Sequence, residues 1–429
     1  MSFIDNIKDV FSSNKSYIKI TKTYTKKNKI LFEFETSKDL DEFFKKHSMY
    51  IEYINEKNID LSDIPTSILN IPLISNLLPV VWFVDCELII DELDETFYNA
   101  IPNLKKGYSY MYKKASLKGK VTINKLVDNT YEYEREYISL FSYGVDSLNT
   151  VLKYIDKKPM ILTLWGADIP IHRKEGWHAL KDNVDQFARD YDLTNFFVKS
   201  DFRKVLDTDK LYDCYKDQLN HGGNWWLTAQ HGIVLIGQAT ILAYFYKVKN
   251  ILIASTYPYT QEDIDKKMNI VTCASSPFID NEFKFSSCNV IHDGWELTRP
   301  EKVDKIVEYA KQNKKTFNMH VCWYSPHGIN CNVCEKCSRT YTYLMAIGED
   351  PSNYGFSVDE EKLMKVEKDF KRVYYNKEKL GGWPPHTNLL YVWKNTQEIL
   401  KQDEDYWKTT PLKWLLDIDF DEISNPIKK

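Results

Sequence analysis

The sequence contains no apolar run long enough to cross a membrane. Its longest apolar stretch, Gly232–Tyr246, is interrupted by Gln238 and is shorter than the roughly 20 residues that a membrane span needs. The first residues, Met1–Lys8, lack the apolar core of a signal peptide. We therefore expect a cytoplasmic protein without a membrane partner, and we interpret Gly232–Tyr246 as a buried helix.

The sequence also lacks a large excess of either charge. The 57 Lys and Arg residues are matched by 61 Asp and Glu residues, so the formal net charge is −4 at pH 7. Without a basic excess there is no reason to expect nonspecific binding to nucleic acid. A chain of 429 residues with 43% hydrophobic residues is too long for one compact core and is typical of two or more globular domains.

The segment that carries the clearest chemical signal is Ser142–Ser147. The apolar run Tyr137–Phe141 precedes it, and apolar residues recur at helical spacing over Leu148–Ile155. Ser142–Ser147 is therefore predicted to lie where a strand changes into a helix. Backbone N–H groups and the positive end of a helix dipole converge at such a turn and favour an anion. An ordinary turn with Ser147 as the helix N-cap is the alternative.

Each small or polar residue of this segment has a chemical use at an anion site. Gly144 lets the backbone approach a ligand closely, because it has no Cβ atom. Ser142 and Ser147 supply hydroxyl donors. Asp146 is placed to orient a metal ion or a departing phosphate group.

These residues resemble the SGGxDS loop of the PP-loop (N-type) ATP pyrophosphatases, with Tyr143 in place of the second-position glycine. The resemblance implies cleavage of ATP between its α- and β-phosphates, which yields an adenylylated acceptor and pyrophosphate, with Mg²⁺ as a further cofactor. It assigns catalytic roles to Asp146 and Ser147. The residues that it assigns to ATP binding are Ser142, Tyr143, Gly144, Val145, Asp146, Ser147 and Leu148.

From Glu136 onward the sequence alternates predicted strands and helices, which indicates an α/β fold with a parallel sheet. Together with the resemblance, this predicts a Rossmann-like sheet of the adenine nucleotide α-hydrolase type. Ligands of such sheets bind beyond the carboxyl ends of the strands. The predicted strand ends that form a common pocket mouth are Ser142–Ser147, Trp165–Asp168, Ser200–Asp201 and Ser255–Thr256.

Half of the eight cysteines occur within 16 residues near the other end of the chain. In a cytosol they would be reduced, so close spacing favours a metal site over disulfides. The four predicted ligands are Cys322, Cys331, Cys334 and Cys337. Four thiolates satisfy a tetrahedral Zn²⁺ and leave no open position, so the site is predicted to be a structural zinc knuckle. An iron–sulfur cluster is the alternative, and His320 or His327 could replace one thiolate.

The order of the two motifs resembles the 7-cyano-7-deazaguanine synthases of the queuosine pathway over about residues 136–348. The resemblance implies an ATP-dependent ligase that forms carbon–nitrogen bonds, with ammonia attacking an activated carboxylate, and with a structural zinc. The resembled enzymes are shorter, and Trp165–Asp168 differs from their usual sequence at that strand end. We therefore expect either a 7-deazaguanine-like small molecule or a peptide or protein as the acceptor, as in antiviral defence or natural-product pathways.

The chain is predicted to contain three domains. Residues 1–135 are interpreted as an accessory α+β domain that could recruit a protein partner, and two apolar runs within Leu77–Ile90 predict strands there. Residues 136–350 are interpreted as the PP-loop domain with the zinc site. Residues 351–429 are interpreted as a helical extension, and no pattern predicts the oligomeric state.

Two other functions remain open at this point. A sulfur-transferring PP-loop enzyme would need a catalytic cysteine outside the metal site, for which Cys214, Cys273 and Cys288 are the candidates. A catalytically silent nucleotide-binding subunit of a defence complex would keep the fold and lose turnover. Release of pyrophosphate distinguishes the enzymatic hypotheses from the silent one.

Two histidines are secondary candidates for functional residues. His231, near the start of the long apolar helix, could face the pocket mouth, although a capping or core role is its simpler interpretation. His292 and Asp293 could act as an acid–base pair at a strand end, although a turn before the next helix explains them equally well.

Overall fold

The computed structural model describes residues 15–54, 59–322, 324–325, 327, 330–383 and 390–424, so the predicted absence of a signal sequence in Met1–Lys8 lies outside the described residues. The strands, numbered in chain order, are β1 (Tyr17–Lys26), β2 (Lys29–Thr36), β3 (Ser48–Ile54), β4 (Glu87–Asp94), β5 (Lys120–Val127), β6 (Arg135–Leu140), β7 (Met160–Trp165), β8 (Asn195–Ser200), β9 (Val248–Ala254), β10 (Lys284–Phe285) and β11 (Cys288–Asp293).

The helices are numbered in the same way. They are α1 (Thr66–Leu69), α2 (Ile71–Val84), α3 (Glu95–Met111), α4 (Val145–Lys153), α5 (Lys174–Tyr191), α6 (Thr208–Tyr215), α7 (His231–Phe245), α8 (Gln261–Lys266), α9 (Pro277–Asp280), α10 (Arg299–Asn313), α11 (Glu335–Ala346), α12 (Glu360–Tyr374), α13 (Leu390–Leu400), α14 (Glu404–Trp407) and α15 (Phe420–Ser424). Short 3-10 turns are Asp41–Phe43, Ile155–Lys157, Phe202–Lys204, Pro351–Tyr354, Lys401–Asp403 and Lys413–Asp417, and a π-helical turn is Trp226–Gln230.

The chain separates into two compact units. We call the first the sheet unit; its described residues belong to Met1–Phe141, Lys153–Ile171 and Ala188–Glu296. We call the second the loop–cysteine unit; its described residues belong to Ser142–Leu152, His172–Phe187 and Leu297–Lys429. Both units are discontinuous in sequence, and the division into residues 1–135, 136–350 and 351–429 stays a prediction.

The sheet unit is built on one sheet that contains all eleven described strands, in the order β10-β11-β9-β6-β7-β8-β3-β2-β1-β4-β5. Six neighbouring pairs are parallel and four are antiparallel. The sheet is therefore mostly parallel, and the predicted α/β class is confirmed.

Five consecutive strands of this sheet, β11-β9-β6-β7-β8, run parallel to one another. Counted from β6 in chain order, without the two-residue β10, their spatial order is 3-2-1-4-5. The chain moves from β6 to one side through β7 and β8, and then returns to the other side with β9. The carboxyl ends of all five strands consequently share one edge of the sheet.

Strands from the N-terminal residues extend this same sheet. β3 pairs antiparallel with β8, with Ile51 opposite Ser200, and β2, β1, β4 and β5 follow outward. A buried apolar core, which includes Ile51, Leu77, Ile138 and Ile251, lies within the sheet unit. The N-terminal strands thus share hydrogen bonds with the predicted α/β region.

The prediction of two strands within Leu77–Ile90 is wrong for its first half. Ile71–Val84 forms α2, which contains Pro79, and only the second half contributes to β4. All residues of α2 from Ile71 to Phe83 are buried. A helix that is buried on every side has no polar face, so its apolar run cannot be distinguished from a buried strand by periodicity.

The interpretation of Gly232–Tyr246 as a buried helix is confirmed, because this segment forms most of α7 and 11 of the 15 residues of that helix are buried. Across the described part of the chain, no helix has the length and apolar character of a membrane span.

The loop–cysteine unit contains most of α4 and α5 and all of α10–α15. Its C-terminal helices enclose an aromatic cluster around Phe370, whose ring centroid lies 5.3 Å from that of Trp393 and 5.2 Å from that of Trp414. Trp383 stacks on Trp393 at 6.2 Å. These aromatic side chains are core residues of this unit.

Candidate functional site

The Ser142–Ser147 segment forms the predicted turn between a strand and a helix, since β6 ends at Leu140 and α4 begins at Val145. The Oγ atoms of Ser142 and Ser147 lie 3.2 Å apart, and the Ser147 hydroxyl donates to the Gly144 carbonyl at 3.3 Å. The Leu148 N–H also donates to that carbonyl, at 2.9 Å. Gly144 therefore precedes the helix, and Ser147 lies in its first turn instead of acting as the N-cap.

The predicted ATP-binding residues differ in their exposure to solvent. Ser142 is exposed, and Gly144 and Asp146 are partly buried. The side chains of Val145 and Leu148 are buried, so only their backbone atoms could face a ligand.

Gly144 is not required by the packing of the protein itself. Its φ angle is not positive, and among the described residues a Cβ atom there would meet only the Ser142 Oγ at 3.4 Å and the His320 carbonyl oxygen at 3.5 Å. Both distances are ordinary van der Waals contacts. The missing Cβ therefore leaves space beside the start of α4, as an approaching phosphate group would need.

Tyr143 stands where the resembled loop has glycine, and its backbone has a left-handed φ of 60°. That conformation costs a residue with a side chain about 1–2 kcal/mol. The ring is buried against Phe187, with ring centroids 5.3 Å apart. The Tyr143 carbonyl accepts the His320 N–H at 2.8 Å, and its hydroxyl accepts the Asn318 N–H at 3.3 Å. The tyrosine thus keeps the backbone conformation that glycine favours and directs its side chain into the unit.

Asp146 is bound by two cations of α10. Arg299 approaches it with Nη2 at 2.5 Å from Oδ2 and Nε at 3.4 Å from Oδ1, and Lys302 Nζ lies 3.5 Å from Oδ1. The side chains of Lys302, Arg299 and Asp146 are 1%, 9% and 19% exposed. Burial raises the pKa of Asp146, but the charges of Arg299 and Lys302 outweigh it and hold the pKa below its usual range. The side chains of Asp146, Arg299 and Lys302 together carry a net positive charge.

A capping box positions these cations. The Glu301 N–H donates to Thr298 Oγ1 at 3.4 Å, and the Thr298 N–H donates to Glu301 Oε2 at 2.7 Å. This cap starts α10 at Arg299 and places Lys302, three residues later, on the same face. The sequence did not reveal Arg299 or Lys302 as site residues, because nothing in it connects them to a carboxylate more than 150 residues earlier.

The four predicted cysteine ligands lie together, with all four Sγ atoms within 4.8 Å of one another. Cys334 Sγ is 3.5 Å from Cys337 Sγ and 3.8 Å from Cys322 Sγ, and Cys331 Sγ is 4.0 Å from Cys337 Sγ. Hydrogen bonds from Cys331 and Cys334 lower the pKa of the Cys322 thiol. These four residues form a possible metal-binding site.

Backbone N–H groups turn toward two of the sulfurs. Cys322 Sγ accepts from Tyr324 at 3.3 Å and from Ser325 at 3.2 Å, and Cys331 Sγ accepts from the Cys334 N–H at 3.3 Å. Such donors stabilise a thiolate, which is the form that binds metal. His327 is directed elsewhere, since its Nδ1 lies 2.9 Å from Glu175 Oε2.

The C-terminal residues of the unit hold α11, the helix that contains Cys337 and follows the other three cysteines. The Glu335 N–H donates to the Gly382 carbonyl at 2.9 Å, and Trp393 Nε1 donates to Glu335 Oε1 at 3.3 Å. Arg339 donates to both Glu335 carboxylate oxygens at 3.0 and 2.9 Å, and both side chains are 2% exposed. A buried charge pair with additional donors orients the start of α11.

One short segment joins the loop to the first cysteine. Its residues Asn318 and His320 donate to Tyr143, as described above. The Val321 N–H donates to Asn330 Oδ1 at 3.0 Å, and Asn330 Nδ2 donates to the Met319 carbonyl at 2.7 Å. The chain reaches Cys322 directly after this hydrogen-bonded segment, so the loop and the cysteine cluster are structurally connected.

The remaining predicted strand ends belong to the sheet unit. Trp165–Asp168, Ser200–Asp201 and Ser255–Thr256 lie at the carboxyl ends of β7, β8 and β9. The common pocket mouth, which also includes Ser142–Ser147, stays a prediction.

The proposed pairing of His292 with Asp293 is wrong. His292 Nδ1 lies 2.8 Å from Asp280 Oδ2, and both side chains are buried. Asp293 Oδ1 instead accepts from Lys153 Nζ at 2.7 Å and from the Tyr154 hydroxyl at 3.2 Å. Successive residues of a strand point to opposite faces of the sheet, so neighbours in sequence rarely form such a pair.

His231 packs against Trp226, with ring centroids 5.2 Å apart. This ring contact accords with the core interpretation of His231.

Comparisons of the chain with protein-family models, with curated proteins and with solved structures found no significant match.

Proposed function

We propose that the chain is an ATP-dependent synthetase of the PP-loop type. It adenylylates a carboxylate or carbonyl oxygen, releases pyrophosphate, and lets a nitrogen nucleophile displace AMP. The observation that carries the proposal is the position of Arg299 and Lys302 on Asp146, at the start of the helix that also contains Ser147. Hydroxyl donors, a helix N-terminus and excess positive charge are the features that a polyphosphate requires.

The strand order supports a nucleotide-binding fold. The order 3-2-1-4-5 of the parallel strands, counted from β6, is the order of the doubly wound Rossmann-like sheets. Their ligands bind where the chain reverses direction across the sheet, which here is between β6 and β9. The loop Ser142–Ser147 follows β6 directly in sequence. We therefore propose a Rossmann-like, adenine nucleotide α-hydrolase-like sheet.

The activation step uses the acceptor oxygen as the nucleophile. A carboxylate is a poor electrophile, because its leaving group would be an oxide. Attack of its oxygen on the α-phosphorus forms the acyl-adenylate and breaks the bond to the bridging oxygen, so pyrophosphate leaves with that electron pair. Arg299, Lys302 and the hydroxyl of Ser147 would bind the negative charge of that leaving group. Attack by an amine or ammonia on the acyl carbon then expels AMP.

Asp146 is the residue that would hold Mg²⁺ in this site. A single carboxylate fits, because Mg²⁺ commonly binds one or two protein carboxylates together with substrate phosphates and water. Bound Mg²⁺ would neutralise charge on the departing pyrophosphate. A 7-deazaguanine-like molecule or a peptide or protein terminus is proposed as the acceptor.

The cysteine cluster is proposed to hold one structural zinc ion. Tetrahedral coordination with Zn–S bonds of about 2.3 Å places sulfurs about 3.8 Å apart. Three of the six sulfur separations are 3.5, 3.8 and 4.0 Å, around that value, and all six are within 4.8 Å. In a four-iron cluster each thiolate binds a different iron atom, which spreads the sulfurs further apart. One ion therefore fits this cluster better than a four-iron cluster does.

Sulfur transfer is the less favoured alternative. Burial raises the pKa of Cys273 to about 11 and also raises the pKa of Cys288, and a protonated thiol is a poor nucleophile. Cys214 is exposed and lies on α6. Neither Cys273 nor Cys288 therefore supplies an activated thiolate.

An isotope experiment tests the proposed chemistry. Acceptors labelled with oxygen-18 in the carboxylate are incubated with ATP and ammonia, first 7-carboxy-7-deazaguanine and then peptides. The label must appear in AMP, because the acceptor oxygen stays on the α-phosphorus. Formation of ADP and phosphate, or of unlabelled AMP during acceptor consumption, would contradict the mechanism. Absence of pyrophosphate release with every acceptor would favour the hypothesis of a catalytically silent nucleotide-binding subunit.

A further inference from the structure

We propose that the cluster Asp146, Arg299 and Lys302 makes a divalent cation and a phosphate anion bind as a pair and opposes the binding of either ion alone. This rests on the proposed function, because it takes the cluster as the polyphosphate site. The observation behind it is that the carboxylate for the cation and the guanidinium for the anion are bound to each other.

A cation that binds alone meets an occupied carboxylate. Arg299 contacts both oxygens of Asp146, and Lys302 contacts Oδ1. If a divalent cation took Asp146, it would add two positive charges beside two cations that are 9% and 1% exposed. Buried cations that lose their counter-charge are strongly destabilised. The cluster therefore opposes the binding of a cation by itself.

An anion that binds alone meets the opposite obstacle. Two Arg299 donors, Nε and Nη2, are directed at Asp146. A phosphate oxygen must either displace the carboxylate or lie next to it, and two anions at such a distance repel each other. The cluster therefore also weakens the binding of an anion by itself.

Both obstacles disappear when the two ions arrive together. Asp146 would hold the divalent cation, while Arg299 and Lys302 would hold the phosphate oxygens. Every buried charge keeps an opposite partner throughout this exchange. The ion pair thus selects a metal–polyphosphate complex over free metal and over metal-free phosphate.

Isothermal titration calorimetry with Mg²⁺ alone, pyrophosphate alone and pyrophosphate with Mg²⁺ tests this proposal. Mg²⁺ and pyrophosphate associate in solution, so tighter binding of the mixture to the wild-type protein is not decisive. The decisive measurements use variants that each remove one partner of the pair. Removing a partner should strengthen binding of the ion that was excluded.

In Asp146→Asn, pyrophosphate without Mg²⁺ should bind about tenfold more tightly than to the wild type, because one opposing charge is gone. Added Mg²⁺ should then not strengthen pyrophosphate binding through any contact with the protein. In Arg299→Gln, Mg²⁺ alone should bind more tightly than to the wild type. Glu378→Gln is the matched control, since it breaks the Arg372–Glu378 pair at 2.7 Å and should leave all three titrations unchanged.

Thermal melting of each variant checks that it is folded, and either variant alone decides the question. Suppose that the wild type binds pyrophosphate with Mg²⁺. If Asp146→Asn then binds pyrophosphate no more tightly than the wild type, or Arg299→Gln binds Mg²⁺ no more tightly than the wild type, paired binding of the two ions is wrong. The polyphosphate site itself would stand. If the wild type binds neither pyrophosphate nor ATP with Mg²⁺, the polyphosphate site itself is wrong.

Discussion

The cysteine cluster and the Ser142–Ser147 loop belong to the same unit but are assembled in different ways. The four cysteines come from 16 consecutive residues, and their spacing alone indicates that they meet. The loop gains its charge from Arg299 and Lys302, which are more than 150 residues away from Asp146 in sequence. A local motif therefore revealed a complete ligand set in one region and only half of the site in the other.

The two regions also differ in what their side chains do for the fold. The sulfurs are largely buried and turned toward one another, as in a site that stabilises structure. Around the loop, Gly144 leaves space that the described residues do not fill, and the Asp146 cluster has a net positive charge. We infer that the cysteine cluster supports the fold and that the loop serves binding.

Loss of one cysteine ligand is expected to have the largest effect. Cys334→Ser should remove the metal and unfold much of the loop–cysteine unit, because structural zinc contributes about 10 kcal/mol or more to small folds. Metal analysis of the wild type should give about one colourless zinc ion per chain, consistent with four-thiolate coordination.

The control for this experiment is Cys214→Ser, which replaces an exposed cysteine outside the cluster. It should leave metal content and melting temperature unchanged. A stable Cys334→Ser protein with full metal content would show that the cluster is not a metal site. A brown protein would instead indicate iron.

Removal of the loop carboxylate is expected to have a smaller effect on stability. Asp146→Asn leaves Arg299 and Lys302 without their carboxylate, so the free energy of unfolding at pH 7 should fall by about 3 kcal/mol. Denaturant unfolding measures this value. Glu378→Gln, in a more exposed pair, should cost less than about 1 kcal/mol. Equal effects of both variants would contradict the importance of the buried pair.

The pH dependence of the difference in unfolding free energy between the wild type and Asp146→Asn is a separate test. The pKa of Asp146 in the folded protein lies below its ordinary value. Its stabilisation is therefore fully present above about pH 4, the ordinary aspartate range, and is lost as the pH falls through the lower folded pKa. The stability difference between the wild type and Asp146→Asn should shrink only in that acidic range. A difference that is constant down to pH 2 would refute the ion pair.

The loop hydroxyl is expected to matter for turnover and little for folding. Ser147→Ala removes a donor at the proposed leaving group, and pyrophosphate release should slow by about a hundredfold or more. Thr340→Ala, on α11, is a matched control in which a hydroxyl that donates to a backbone carbonyl is lost. Unchanged turnover in Ser147→Ala would contradict the assignment of this residue.

The smallest stability effect is expected at Gly144. A Cβ atom there meets only ordinary contacts with the part of the chain that the structure describes, so Gly144→Ala should change the melting temperature little. Pyrophosphate binding with Mg²⁺ should nevertheless weaken, because the methyl group occupies the space beside the start of α4. Calorimetry measures the binding. Full affinity in a stable Gly144→Ala protein would show that this space is not used by the ligand.

The sequence by itself determined the alternation of strands and helices from Glu136, the position of the turn before α4 and the four cysteines. These features depend on residues close together in the chain, where periodicity and spacing act directly. It did not determine the conformation of α2 or the pairing of β3 with β8. A segment that is buried on all sides has no amphipathic period, and strand partners distant in sequence carry no local signal.

The tertiary structure decided the chemistry of the loop. It brought Arg299 and Lys302 to Asp146, and it held Tyr143 in a left-handed conformation through Phe187, Asn318 and His320. A glycine position can be filled by tyrosine only where the surrounding residues compensate the backbone strain, and the sequence does not show those neighbours. Charge–charge contacts depend on distance in space, so the positive character of this site emerged only from the fold.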